Sequence, residues 1–443
     1  MDFTPHTEAD IAEMLEKVGL TSVDQLFHHL PENVRVVGDL DLPTGLSEPE
    51  VMKVISDYAE RNRTLVCFAG GGHYDHYLPP TVRSLNLRTE FVTSYTPYQP
   101  EVSQGVLQAL FEFQSMVCAI TGMDVANASV YDGAGAALEA VNVAVATTRR
   151  DVVWVSAGVA PQTRETISTF AHARGIELIE HPLEDGVTKW NPAAHGPPAA
   201  VVVSQPNYLG AIESYEAAVN LAHAEGALAI ASVDPMTLGL LRPPGSAGVD
   251  IAIAEGQPLG GPLTFGGPGV GLFATTSKLM RRLPGRLVGT TTDDKGRLAY
   301  VLTLRAREQD IRREKASSNI CTNQSLNAVG VAMQLAWLGP DGLTEVGSQS
   351  AQKARYLAAR LTALEGVSLA HGSSYVREFA VTLPVAPSVV IDSMVGRGYL
   401  AGIDLSDDYP ELENPLLVAV TERRTRAELD TYVELMEEVI ANA

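Results

Sequence analysis

Cysteine is scarce in this sequence: Cys67, Cys118 and Cys321 are the three among 443 residues, and none stands in a CxxC pair. That excludes a disulfide framework, speaks against a zinc site and suits a reducing compartment. Long apolar runs are missing too, since no stretch approaches the roughly 20 residues of a spanning helix. No membrane partner is expected. The opening MDFTPHTEADIAEM has neither a basic leader nor an apolar core, so an unexported, cytoplasmic protein is the expectation. Positive charge is short as well, with 32 Lys and Arg against 53 Asp and Glu, a formal net charge of −21. Such a surface repels phosphate backbones, which excludes nucleic acid as a partner. Apolar residues are plentiful at 45%, with no low-complexity tract. That is enough core for a large domain plus a smaller one.

The patterning divides the chain into three parts. Over residues 1–63, Thr7 with Asp10 and Ser47 with Glu50 precede apolar residues at helical spacing, the signature of capped helices; this part reads as a helical N-terminal arm. Over 64–300, short apolar runs alternate with helix-length segments: LVCFAG near 65–70, DVVWVS at 151–156, AVVVSQ at 200–205, ALAIASVD at 227–234, DIAIAEG at 250–256 and VGLFAT at 270–275. Strands apolar on both faces that alternate with helices predict a large α/β domain around a mainly parallel sheet. Over 301–443, the charged stretch RAREQDIRREKASSN is read as helical, and strands such as REFAVTLP (377–384) with an acidic helix from Arg426 predict a smaller α+β C-terminal domain.

Several short motifs carry little. His73 and His76 flank Asp75 in GGHYDHYLP, but three ligands within four residues of a glycine-rich loop rarely chelate one ion, so no metal is expected. FGGPGVG (265–271) resembles a dinucleotide-binding glycine string yet precedes a strand instead of opening a helix. Arg281–Arg282 and Arg312–Arg313 read as solvated pairs. Cys321, after SSNI, is expected to be buried and inert.

The segment SYTPYQPEVSQGVLQALFEFQSMVCAITGMDVANASVYDGAGAALEA (94–140) is far more specific. With it, in order, run FAGGGHYDHYLPPTVR (68–83), SQPNYLGAIE (204–213), FGGPGVGLFAT (265–275), RLPGRLVGTT (282–291), LTLRAREQDIRREKASSNICTNQSL (302–326) and NPLLVAVTERRT (414–425). Together they resemble the amino-terminal half of the P-protein of the glycine cleavage system, over nearly the whole chain. The resemblance implies the fold of the pyridoxal phosphate (PLP)-dependent transferases of fold type I. It also implies decarboxylation of glycine, with transfer of the aminomethyl group to the lipoyl arm of an H-protein. Single-chain members fuse two homologous halves, and this chain matches the first. The second is expected on a separate beta subunit, which makes an alpha2beta2 heterotetramer the expected assembly.

A pyridoxal enzyme needs a lysine for its Schiff base, an acid for the pyridinium nitrogen and backbone donors at a helix start for the phosphate. By resemblance the acid is Asp234. Where the active half of the family places the lysine, this sequence has Glu255, Gln257 and Pro258, and no lysine occurs between Lys189 and Lys278. The phosphate loop, with Asp132 and Gly133 in YDGAGAALEA, carries an acid that opposes a dianion and also suits a helix cap. A vestigial site follows (Asp132, Gly133, Asp234, Pro258), and PLP is expected on the beta subunit, none on this chain.

Loops of one chain commonly complete the pocket of the other in this fold. The residues expected to serve the partner are Tyr95, Thr96, Tyr98 and Gln99 in TPYQPE, His73, Tyr74 and His76 in GHYDHY, and Asn319 and Thr322 in SSNICT; their expected role is to orient glycine and exclude water. Tyr95 and Tyr98 equally suit packing at a subunit interface. Two alternatives stay open: a self-sufficient PLP-dependent decarboxylase or aminotransferase, and a non-catalytic scaffold.

Overall fold

The computed structural model describes residues 5–36, 38, 40–192 and 196–442, so residues 1–4 of the expected arm and 193–195 of the connector after Lys189 lie outside it. Two compact units result, Met1–Arg63 and Thr64–Ala443. In the first, helices α1 (Glu8–Lys17) and α2 (Glu48–Glu60) both open on capping boxes. Thr7 and Ser47 take the amide donors that a helix start leaves free, as the sequence predicts.

The second unit is built on strands rich in β-branched residues and alanine. In chain order its main elements are β1 (Val66–Cys67), α3 (Gln104–Thr121), β2 (Val125–Ala126), α4 (Gly133–Thr148), β3 (Val152–Ser156), α5 (Pro161–Arg174), β4 (Glu177–His181), β5 (Ala200–Gln205), α6 (Tyr215–Ala224), β6 (Leu228–Val233), β7 (Ile251–Glu255) and β8 (Gly271–Thr275). A hairpin of β9 (Val288–Thr292) and β10 (Leu298–Leu302) follows. Then come α7 (Ser325–Leu361), β11 (Ser368–Leu369), β12 (Glu378–Thr382), α8 (Pro387–Gly396), β13 (Tyr399–Leu400), β14 (Ile403–Asp404), β15 (Pro415–Ala419) and α9 (Arg426–Asn442).

The central sheet runs β2-β8-β7-β6-β5-β3-β4. Neighbours from β7 to β4 are parallel, and β8 is antiparallel to both its partners. Side chains alternate across it: on β7, Ala252 and Ala254 join the core beneath α3, while Ile251 and Ile253 join the core beneath α4 and α5. Both faces are therefore dry, and each fully buried Val or Ile stabilises the fold by about 1.5–3 kcal/mol. The smaller sheet, β11-β12-β15-β14, packs with α8 and α9 on a third core. Helix α7 serves two cores: non-helical Gly339 (φ 61°) precedes Pro340, and the segments on either side pack on the central and the third core.

Two segments depart from the sequence reading. LVCFAG does not join the central sheet: β1 pairs in parallel with β13, and Phe68 packs on Tyr432 with ring centroids 4.3 Å apart. Its apolar run fits either sheet, and tertiary packing decides. RAREQDIRREKASSN is not one helix but short turns, Arg305–Arg307, Gln309–Arg312 and Arg313–Lys315. Leu304 (φ 54°) and Arg313 (φ 51°) leave the helical region, and no apolar stripe holds the segment to a core. Among the described residues, no helix is long and apolar enough to cross a membrane.

Candidate functional site

Parallel strands deliver their carboxyl ends to one edge of the sheet, and there a cavity of about 430 Å³ opens. Asp234 follows β6 and Glu255 ends β7; both line the cavity, with Asp132 and Gly133 from the start of α4. His73, Tyr74, Pro258 and Glu378 line it too.

The start of α4 is the natural seat for a phosphate, because its first amides point outward unpaired. Here the chain fills that seat itself. Asp132 is the N-cap, and its Oδ1 accepts the Gly135 N–H at 2.6 Å. Glu255 Oε2 accepts the Gly133 N–H at 2.9 Å, while its Oε1 accepts those of Gln257 (2.8 Å) and Val270 (3.0 Å). A Cβ on Gly133 would meet the Glu255 backbone nitrogen at 3.0 Å, so the close approach needs glycine. Burial raises the Glu255 carboxyl above its ordinary range, against the pull of the three amides.

Asp234 is likewise engaged. Its Oδ2 lies 2.5 Å from Nη2 of Arg377, a buried guanidinium 3.4 Å from the centroid of the Tyr74 ring and bonded to His76 Nε2. His76 Nδ1 in turn bonds Glu422. Burial, then Arg377, hold the His76 ring below its ordinary pKa. Tyr74 Oη donates to Glu378 Oε2 at 2.7 Å, and Glu378 Oε1 accepts the Gly71 N–H at 2.8 Å. Burial pushes the Glu378 carboxyl up to about 7. Gln257 brackets Tyr74 by accepting its N–H (3.0 Å) and donating to its carbonyl (3.1 Å).

A pyridoxal phosphate does not fit these residues. No lysine lines the cavity among the described residues, carboxylates hold the amides a phosphate needs, and the acid for a pyridinium nitrogen is spent on Arg377.

The remaining expected residues form a second group. Tyr95 Oη and Thr322 Oγ1 lie 2.7 Å apart, which brings TPYQPE and SSNICT together. Arg286 Nη2 donates to Thr96 Oγ1 at 3.3 Å and to Tyr98 Oη at 3.4 Å. Gln99 precedes the turn Pro100–Val102, and Asn319 accepts from Gln309 at 2.9 Å. Tyr131 links the groups: it lines the cavity, and its hydroxyl accepts the Cys321 N–H at 3.4 Å. Cys321 itself is exposed, contrary to expectation. The preceding Ile320 takes the buried place, which turns the next residue outward. Arg286, Arg377 and Glu378 escape the sequence reading; the only signal is a charged Arg377–Glu378 pair heading an apolar strand.

The model of the family described as glycine cleavage system P-protein matches residues 1–436. The chain belongs to that family. Similar P-protein relatives include the probable glycine dehydrogenase (decarboxylating) subunit 1 of Moorella thermoacetica, 48% identical with 100% of both chains covered. That of Geobacillus kaustophilus is 47% identical over 97% of each. The crystal structure of an inhibitor-bound glycine decarboxylase (P-protein) of the glycine cleavage system superposes with a TM-score of 0.90 at 45% identity, covering 99% of this chain and 100% of that one. Glutamate decarboxylase of Lactobacillus brevis shares the fold alone, with a TM-score of 0.69 at 14% identity. The P-protein chain thus has the fold type I architecture of the PLP-dependent transferases.

Proposed function

We propose that this chain is the first subunit of a two-subunit glycine dehydrogenase (decarboxylating), and that a beta subunit, not this one, holds the PLP on which glycine is decarboxylated. The observation that carries the second claim is the Glu255 carboxylate on the Gly133 amide. A fixed anion at the helix start repels an incoming phosphate dianion and removes its donor at once. The cofactor supplies the electron sink for loss of carbon dioxide when it is bound to the partner. The names of the relatives support the reaction, and the words "subunit 1" support a partner.

In this reading the assembly is alpha2beta2 in the cytoplasm, its substrate is glycine, and the aminomethyl group passes to a lipoyl H-protein. The division at 63/64 and 300/301 belongs to the same reading. Tyr95, Thr96, Tyr98, Gln99, Asn319 and Thr322 face the partner's pocket. His73 and Tyr74, which line this chain's cavity, serve the same pocket, and His76 supports them through its bond to Arg377. The test is reconstitution of the two subunits with Tyr95→Phe and Thr322→Val in this chain. Glycine turnover should fall about tenfold or more, as for loss of an oriented hydrogen bond. Turnover equal to that of the unaltered complex would favour a scaffold.

A further inference from the structure

A guanidinium has five N–H donors and no lone pair with which to accept. Where Arg286 meets Thr96 and Tyr98, both hydroxyl oxygens must therefore be acceptors. Each hydroxyl keeps one O–H, and among the described residues neither O–H is donated to any protein group. Both sit toward the surface, with Tyr98 40% exposed, while Arg286 beneath them is 4% exposed. The arrangement presents two donors outward, backed by a buried positive charge.

That charge is under-compensated. Arg286 has no ion pair, and its Nε no hydrogen-bond partner, among the described residues. Arg305 lies 5.0 Å and Arg286 5.5 Å from the centroid of the Tyr98 ring. Arg305 is bonded to Asp310, and Glu308 is the carboxylate within the field of Arg286, Arg305 and Arg307 together. Three cations share two carboxylates. The imbalance extends along the chain: residues 278–315 carry eleven Lys or Arg against five Asp or Glu, in a protein of net charge −21. A buried guanidinium without a carboxylate is costly unless a complementary anion is close.

We infer that Arg286 is a positioning residue that makes Thr96 and Tyr98 obligate hydrogen-bond donors to an oxyanion presented by the partner subunit's site. The inference rests on the reading that this chain completes that site. The ligand chemistry is a carboxylate or a phosphate monoester: the glycine carboxylate or the phosphate of the cofactor. Arg286 acts through the two hydroxyls and does not itself touch the anion. Its neighbour Tyr95 differs, because its hydroxyl is engaged with Thr322.

The experiment uses the reconstituted two-subunit complex carrying Thr96→Val, Tyr98→Phe, Arg286→Lys, or Tyr98→Phe with Arg286→Lys. For each, the KM for glycine and the inhibition constant of acetate are measured, and separately the affinity of the cofactor-stripped complex for PLP. Loss of one hydrogen bond to a charged group should weaken the affected anion by about tenfold. If the anion is the substrate carboxylate, glycine and acetate weaken together while PLP affinity holds. A phosphate ligand gives the reverse. Arg286→Lys should reproduce the loss and add little in the Tyr98→Phe background, because the two act as one unit. Surface variants Thr96→Val and Tyr98→Phe keep the test decisive if Arg286→Lys fails to fold. Unchanged affinity for all three anions overturns the inference, as does an Arg286→Lys effect fully additive to Tyr98→Phe. If those variants are silent but Tyr95→Phe and Thr322→Val lower turnover, the inference alone fails. Silence in all of them brings down the underlying reading.

Discussion

Glu255 accepts the backbone amide of Gly133 at 2.9 Å, so a side chain of this protein occupies the helix start that its fold offers to a phosphate. The bond joins the end of β7 to the start of α4 at the cavity.

From that bond comes the expectation that the chain alone does not form a Schiff base in the cavity. Incubation with PLP followed by borohydride and peptide mapping should find no pyridoxyl-lysine in residues 190–277, which contain no lysine, and only scattered surface labelling elsewhere. A single, stoichiometric adduct on Lys189 or Lys278 would overturn it.

Relieving the self-occupation should create an anion site. Glu255→Ala with Asp132→Ala removes both carboxylates and frees the Gly133 and Gly135 amides that they hold. Titration with inorganic phosphate by calorimetry should then show weak binding, on the order of millimolar, as a bare helix start provides. The unaltered chain should show none at this site.

Arg377 is the next point of leverage. Replacing it by Met strands Asp234 and removes the cation above the Tyr74 ring. Breaking a buried ion pair from one side costs about 3–5 kcal/mol, read as a lower denaturant midpoint. Adding Asp234→Asn should recover part of that loss, because the abandoned charge is gone.

The Glu378 carboxyl makes stability fall with rising pH. Burial raises its pKa from the ordinary glutamate value of 4.5 to about 7 in the folded chain. Between those values the folded state binds more protons than the unfolded one, so folding is favoured on the acid side and weakened as pH climbs through 7. The full effect is about 3 kcal/mol at most. Glu378→Gln keeps an acceptor for Gly71 and a partner for Tyr74, and should flatten the slope of unfolding free energy between pH 5 and 8. An unchanged slope would point to other groups.

Much of this was legible in the sequence because it follows from local rules. The runs at 151–156, 200–205, 227–234 and 250–256 are β-branched, apolar on both faces and spaced by helices, which admits few arrangements besides a parallel sheet. Thr7 with Asp10 and Ser47 with Glu50 specify their helix starts within four residues. Asp132 and Asp234, which the resemblance assigns to a vestigial cofactor site, line the cavity together.

What escaped depends on contacts between distant segments. Nothing near Glu255 says that its carboxylate reaches back 122 residues to Gly133. Arg377 reads as the polar head of an apolar strand until the fold sets it between Asp234 and Tyr74. LVCFAG carries a strand signal but no address, and Phe68 finds Tyr432 only through the C-terminal layer. Charge density in RAREQDIRREK suggests a helix by composition, whereas Leu304 and Arg313 take left-handed backbone angles that composition does not encode.

The carboxylates that close the helix start also set how the chain answers to its surroundings. A ligand that binds the folded state raises stability with the logarithm of its concentration. A subunit whose own carboxylates hold those amides has no such term at this cavity. Its melting temperature should therefore be the same with PLP added or withheld, because the contacts that hold this helix start are the chain's own.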